Sequence, residues 1–369
     1  MTRRGDRMSR NVFPPSRIWR DPRQVKVLGM GAALPGPAVP TAELLERVER
    51  RFGVAVSCCG TVAADRLGIR ARHICRDFDA RHEGPRPGHS NPDLAAAALR
   101  AALEDAALEV GDLAYLIGHT TTPACLVPPN IALVADRVEF AGPYMELRQA
   151  CTGFANALVV AQGLLSVQSA GAVAIIGSET GSVYFDPQRA GEDKGQLVNF
   201  VQMGDGAAAI VLGPDDGAPG ARIGNNFFGQ IGVGRPPGFT LVAGGSDTPF
   251  VDTETLEFDH DFAAVRVGGP ELFAHGVAVA RELGIGVDTV DHVVPHQANG
   301  HMAALLAPSL RIEPRRIFVN ADHLGNTGSA AIWLALAELR SRLEPGARVV
   351  ALGAEATKYM FGGFGYVHG

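Results

Sequence analysis

The sequence predicts an α/β protein with a largely parallel sheet, covered by helices on both faces and built from two related halves. Two observations carry this. From Val25 onward, short β-type runs alternate with alanine-rich helical runs, the arrangement of parallel strands joined by crossover helices. One unit also occurs twice: Cys151-Thr152-Gly153 and Asn326-Thr327-Gly328 each follow a β-type run and open an apolar helix. The repeated unit reads as an internal duplication whose copies face each other.

Residues 1–24 hold seven arginines and Pro14-Pro15 without an apolar run. This reads as a loosely ordered arm, with Met8 an alternative start. It lacks the apolar core of a signal peptide, and Asp6 and Asp21 oppose a transit peptide. Residues 25–35 read as a strand, and 91–108 as a helix with Asn91 capping and Pro92 at its first position. Strands are expected at 113–122 and 144–151, and a buried helix, apolar all round, at 152–168. Residues 171–180 and 206–213 return to strand. The segments 185–200 and 228–262, rich in Gly, Pro and charge, read as insertions near a mouth. In the second half, helices at 270–284, 301–308 and 327–343 precede strands at 291–296, 315–322 and 347–357 for the first two and the last. The domains are the arm 1–24, a nucleophile-bearing half 25–184, and a second half 185–369.

With 46% hydrophobic and 20% charged residues, the chain has the material for a large core. Its net charge of -6 argues against a nucleic acid or a membrane surface as partner. No apolar run approaches the ~18 residues of a membrane span. Five cysteines without a CxxC pair signal neither a zinc ribbon nor a disulfide scaffold. Reduced thiols and a cytoplasmic location are expected, with no metal.

Three residues stand out for chemistry. Cys151 lies between an apolar strand and a buried helix, so the positive end of that helix is expected to favour its thiolate; Gly153 keeps bulk away as the chain turns. The alternative is a small buried hydrophobe, the common fate of a free cysteine. His296, in Val-Val-Pro-His-Gln-Ala-Asn, ends an apolar strand at a strand-to-helix junction. Asn326 holds the corresponding junction of the repeat, where a neutral amide can donate to a developing oxyanion.

The ordered set Ala150-Cys151-Thr152-Gly153-Phe154, Pro295-His296-Gln297-Ala298-Asn299 and Gly325-Asn326-Thr327-Gly328 resembles β-ketoacyl-acyl-carrier-protein synthase III of the thiolase superfamily. Leu67–His73 and 203–213 are similar to that family as well, and the resemblance runs over 25–369. It implies a five-layered αβαβα thiolase fold of two duplicated halves, normally a homodimer. It also implies no bound cofactor, with coenzyme A or acyl-carrier phosphopantetheine thioesters as substrates and acyl carrier protein as partner. The implied reaction loads an acyl group on Cys151. His296 and Asn326 then hold the thioester oxygen of a malonyl extender during decarboxylative condensation. Asn299 falls in the motif, and Val127, in the loop 120–130, is expected to line the acyl pocket.

Some positions depart from the family. Its closing glycine run is replaced by Ala356-Thr357-Lys358, so Thr357 is expected to supply a backbone donor and Lys358 to reach a charged substrate. The aromatic residue that stacks on adenine is replaced by Val62, although the nearby arginine is retained as Arg66. The basic residue that docks the carrier is replaced by His301. These changes point to a specialised relative, such as one from secondary metabolism, with an unusual donor. Two other readings stay open: non-decarboxylating transfer from Cys151 to a hydroxyl or amine, and a non-catalytic partner subunit.

Overall fold

A computed structural model describes residues 17–78, 84–167, 171–241 and 258–369. Ten strands form one sheet system with the order Tyr144–Leu147, Leu113–His119, Ala172–Glu179, Gly206–Pro214, Val25–Ala33, then Arg222–Gln230, Met360–Val367, Arg348–Glu355 and His292–Pro295. Trp19–Asp21, from the expected arm, pairs with Arg222–Gln230. The rest of that arm, including Met8, lies outside the described residues. Among the described residues, the two sets of strands meet only where Val25 and Lys26 pair with Ile223 and Arg222.

The duplication is visible in the strand senses. In the first set, Leu113–His119 runs parallel to Ala172–Glu179, which pairs antiparallel with Gly206–Pro214, itself antiparallel to Val25–Ala33. The second set repeats this with His292–Pro295, Arg348–Glu355, Met360–Val367 and Arg222–Gln230. The expectation of a largely parallel sheet is therefore corrected: the sheet is mixed, with an antiparallel centre. The join between Glu355 and Met360 shows why, since the few residues between them permit a hairpin but not a parallel crossover.

The strand expected at 315–322 is also corrected. Its counterpart in the first half, Tyr144–Leu147, is a true strand, whereas here a single parallel bridge, Val293 to Ile317, survives. Pro314–Arg316 makes a 3-10 turn and Ala321–Leu324 a helical turn. The Asn320 N–H goes to Gln297 Oε1 (2.9 Å) in place of a ladder partner. The expected insertion at 185–200 holds two short helices, Pro187–Glu192 and Lys194–Gln202, with Asp186 and Asp193 accepting their first free N–H groups. The helix expected at 270–284 spans Phe262–Glu282, so Pro270 lies inside it. Of the 228–262 expectation, 242–257 fall outside the described residues.

Five layers result. Asn91–Ala106 and Asn130–Val138 cover the first set of strands, and Phe262–Glu282 with Met302–Leu310 covers the second. Gly153–Val167 and Ala331–Arg340 fill the middle layer, where Phe154, Trp333 and Phe364 meet with centroids 5.6–6.0 Å apart. The outer helix sits hard on its strand: a Cβ at Gly29 would come within 2.3 Å of the Ala102 carbonyl oxygen. Trp333 Nε1 donates to buried His119 Nε2 at 3.0 Å, tying one half to the other. Among the described residues no helix is long and apolar enough to cross a membrane.

Candidate active site

Cys151, His296 and Asn326 line one cavity of about 1390 Å³, together with Asn299 and Thr357. Duplication brings them there. Cys151 follows the edge strand Tyr144–Leu147 and precedes the middle-layer helix Gly153–Val167. Asn326 follows the Ile317 bridge and precedes Ala331–Arg340. His296 leaves the end of His292–Pro295, its N–H donating to Leu352 O at 2.8 Å.

Burial pushes His296 down to about 4, so the ring is neutral at physiological pH. Its Nδ1 is buried without a partner among the described residues. Asn326 Oδ1 accepts the Gly328 N–H at 3.1 Å, and its backbone is clamped by Asn326 N–H to Gln202 O (2.8 Å) and Gly204 N–H to Asn326 O (3.1 Å). With the carbonyl end engaged, the Nδ2 amide is the end free to donate. Gln297 is fully buried, bonding Pro295 O (2.7 Å), Phe318 O (3.2 Å) and the Asn320 N–H, and so fixes the turn after His296.

The surroundings of half-buried Cys151 run against the thiolate expectation. Burial drives the Cys151 thiol well above its ordinary value, and the Glu355 and Glu179 carboxylates push in the same direction. The helix begins only at Gly153, and its free end is already taken: Glu355 Oε2 accepts from Thr152 N (2.9 Å) and Thr152 Oγ1 (2.7 Å). A buried carboxylate thus neutralises the positive end that was expected to hold the sulfur anion. Thr357 Oγ1 donates to the other Glu355 oxygen.

Glu179, also buried, accepts from Thr121 N and Oγ1 (3.1 and 2.9 Å), Thr122 Oγ1 (2.5 Å) and Ser329 Oγ (2.5 Å), pinning loops of both halves over the site. Burial raises its carboxyl above the ordinary range. Sequence reasoning missed both acids. The available signal was a charged residue ending each of two apolar strands, Ala172–Glu179 and Arg348–Glu355.

The remaining expectations divide. Gly153 does not line the cavity but is sterically required, since a Cβ there would sit 2.6 Å from His119 Nδ1. Lys358 is corrected: it is exposed and turned away from the cavity, its Nζ donating to Arg235 O. Val127 is 85% exposed and does not line the cavity of its own chain. Arg66 is exposed on the helix Ser57–Leu67. His301 lies against the end of that helix through Nε2 to Asp65 O (3.0 Å), while its N–H donates to Asn299 Oδ1 (2.9 Å). Neither Arg66 nor His301 lines the cavity. Among the described residues no cluster of three His, Cys, Asp or Glu side chains could hold a metal ion.

The sequence model of 3-oxoacyl-[acyl-carrier-protein] synthase III matches residues 145–232, and that of its C-terminal part matches 280–360. The β-ketoacyl-[acyl-carrier-protein] synthase III of Nitratidesulfovibrio vulgaris is 31% identical over 297 residues, covering 77% of this chain and 84% of that protein. That of Rhizorhabdus wittichii is 31% identical over 340 residues, covering 88% and 93%. Among solved structures, AbyA1, described as a tetronic acid condensing enzyme, superposes with a TM-score of 0.80 at 30% identity, covering 94% of this chain and all of that one. The FabH synthase III of Pseudomonas aeruginosa superposes with a TM-score of 0.73 at 26% identity, covering 94% and 98%. The chain belongs to the β-ketoacyl-acyl-carrier-protein synthase III family.

Proposed function

We propose that the chain is a condensing enzyme that carries an acyl group on Cys151 and extends it with a malonyl-type thioester on acyl carrier protein. In loading, the Cys151 thiol gives up its proton and the sulfur attacks the donor carbonyl. The carrier thiol then leaves with a proton. In condensation, the malonyl carboxylate departs as carbon dioxide and its electron pair passes to the thioester enolate. His296 Nε2–H and Asn326 Nδ2–H hold the enolate oxygen. The α-carbon then attacks the acyl carbonyl, the bond to Cys151 sulfur breaks, and the departing thiolate takes up a proton from solvent to restore the thiol. The observation that carries this reading is a neutral His296 and an Asn326 amide, both donors, facing the cavity that holds Cys151. An enolate needs two such donors and no competing cation.

Thr357 and the Cys151 backbone N–H are assigned to the acyl oxyanion, and Asn299 to the pantetheine arm. Arg66 and His301, which do not line the cavity, are assigned to substrate contacts outside it. A homodimer fits the exposed Leu126 and Val127, at 58% and 85%, which need cover. A cytoplasmic location fits the reduced thiols. A second reading, transfer to a hydroxyl or amine without decarboxylation, is favoured by the 30% identity to a tetronic acid condensing enzyme. A tetronic acid ring contains an ester oxygen as well as a carbon–carbon bond.

Intact-protein mass spectrometry tests these readings. Wild type and Cys151→Ala are incubated with acyl thioesters, then with malonyl thioester. A mass shift on wild type alone, discharged by malonyl thioester with carbon dioxide release, is expected. A shift discharged only by an alcohol or amine would replace condensation with transfer, and no shift at all would leave a partner subunit.

A further inference from the structure

A second histidine faces the cavity that holds Cys151. The hairpin of Phe239–Leu241 with Phe258–His260 stands apart from the main sheet and places Phe239, Phe258 and His260 on the cavity wall. The His260 ring is held on three sides. It lies on Phe262 with centroids 3.9 Å apart, meets Phe239 edge-on at 5.1 Å, and brings Nδ1 to 2.9 Å from Asn199 Oδ1. Asn199 is fully buried and its Nδ2 donates to Phe258 O at 3.2 Å, so the end facing the ring is the oxygen, which only accepts. Nδ1 therefore carries the hydrogen, and Nε2 presents a bare lone pair. Burial lowers His260 to about 4 against the opposing pull of Asp261 and Asp259, so the ring is neutral at physiological pH. Nδ1 makes the one hydrogen bond of this ring among the described residues, and Nε2 is left open on the cavity side.

The charged side chains of the cavity do not offer an open acceptor of this kind. Arg266 and Arg281 only donate, while Glu179, Glu282 and Glu355 already accept from Thr122, Arg20 and Thr152. We propose that His260 is a specificity-determining residue whose Nε2 accepts a hydrogen bond from a hydroxyl or amide N–H of the bound thioester. The proposal rests on the reading of this cavity as a thioester site. The donor lies either on the acyl group, as a hydroxyl, or on the pantetheine arm. A purely alkyl body against His260 would strip water from the lone pair and leave it unpaired, so a substrate that carries the donor is favoured by about tenfold.

Two measurements test it. Loading of wild type is compared for hexanoyl-, 3-hydroxyhexanoyl- and 6-hydroxyhexanoyl-coenzyme A, and for the same acyl groups on N-acetylcysteamine, which lacks most of the pantetheine arm. A preference of about tenfold in kcat/KM for a hydroxylated acyl group places the donor there. A like preference for coenzyme A over N-acetylcysteamine, with none for the hydroxyl, places it on the arm. His260→Phe should lower that ratio by about tenfold, and His260→Gln, whose amide oxygen still accepts, should keep part of it. A ratio that His260→Phe leaves unchanged overturns the assignment, as does the absence of both preferences in wild type. Nitrogen-15 spectra of Cys151→Ala, titrated with the preferred thioester, read the bond without the Phe variant. The signal of unprotonated Nε2, identified by its loss in His260→Gln, should move upfield, and an unmoved signal also overturns the proposal. If no thioester loads on wild type while hexanoyl- or hydroxyhexanoyl-coenzyme A still moves the signal, the nucleophile reading falls and the role of His260 stands.

Discussion

Replacing Glu355 with Gln removes a negative charge that acts on Cys151 while keeping an oxygen to accept the Thr152 N–H and hydroxyl, now at 2.9 and 2.7 Å. The carboxylate bonds the residue next to Cys151, and its like charge disfavours the sulfur anion. The Cys151 midpoint should therefore move to lower pH in the Gln variant. The sign follows from the cause. The carboxylate raises the thiol, so its loss lowers it, and below the midpoint the thiolate fraction grows tenfold per pH unit. Wild-type alkylation of Cys151 by iodoacetamide should therefore keep rising from pH 6 to 9, and the Glu355→Gln curve should lie to its acid side. Cys58, Cys59 and Cys125 are exposed and will react as well, so the readout is the mass of the peptide containing Cys151. A wild-type midpoint below 7 would show that the helix end is not neutralised. A Gln variant with an unmoved or higher midpoint would show that this charge does not act on the sulfur.

Gly153→Ala drives a methyl group to 2.6 Å from His119 Nδ1 at the start of the nucleophile helix. It should cost about 1–3 kcal/mol in a denaturant melt, the range for overpacking, and slow acyl loading; an unchanged midpoint would sink this account. Lys358→Ala removes only a surface contact to the Arg235 carbonyl, so kcat/KM with any thioester should stay within about twofold, a change below ~0.5 kcal/mol. His323 is held above its usual value by hydrogen bonds to Glu338 and Asp322, which outweigh partial burial. The stability it contributes is complete below the free histidine pKa near ~6.5 and is lost as pH rises through the higher folded value. The gap in melting temperature between wild type and His323→Gln should therefore narrow from pH 6 to 8.5, and a gap that widens would reverse the sign.

The grouping of Cys151, His296 and Asn326, which the fold brings to one cavity, the twofold repeat and the apolar middle-layer helices were legible from the sequence alone. Their signals are local: a residue type at a junction, and a periodicity inside one segment. The two Asp caps at 186 and 193 were equally local, and the loop composition around them concealed the short helices they start. What only the tertiary structure decided depends on partners far away along the chain. The antiparallel centre of the sheet arises from which strands lie side by side, and a strand's own pattern does not name its neighbour. The strand expected at 315–322 yielded to the side chain of Gln297, 23 residues away. Lys358 faces away from the cavity because its ammonium meets a carbonyl 123 residues distant. The surroundings of Cys151 show the difference most directly. The junction at Cys151 predicts a helix end that favours a thiolate, and the fold brings Glu355, 203 residues from Thr152, to occupy that end. Charge acts through space with little regard for sequence separation, so the chemistry of Cys151 is set by a residue that its local sequence does not contain.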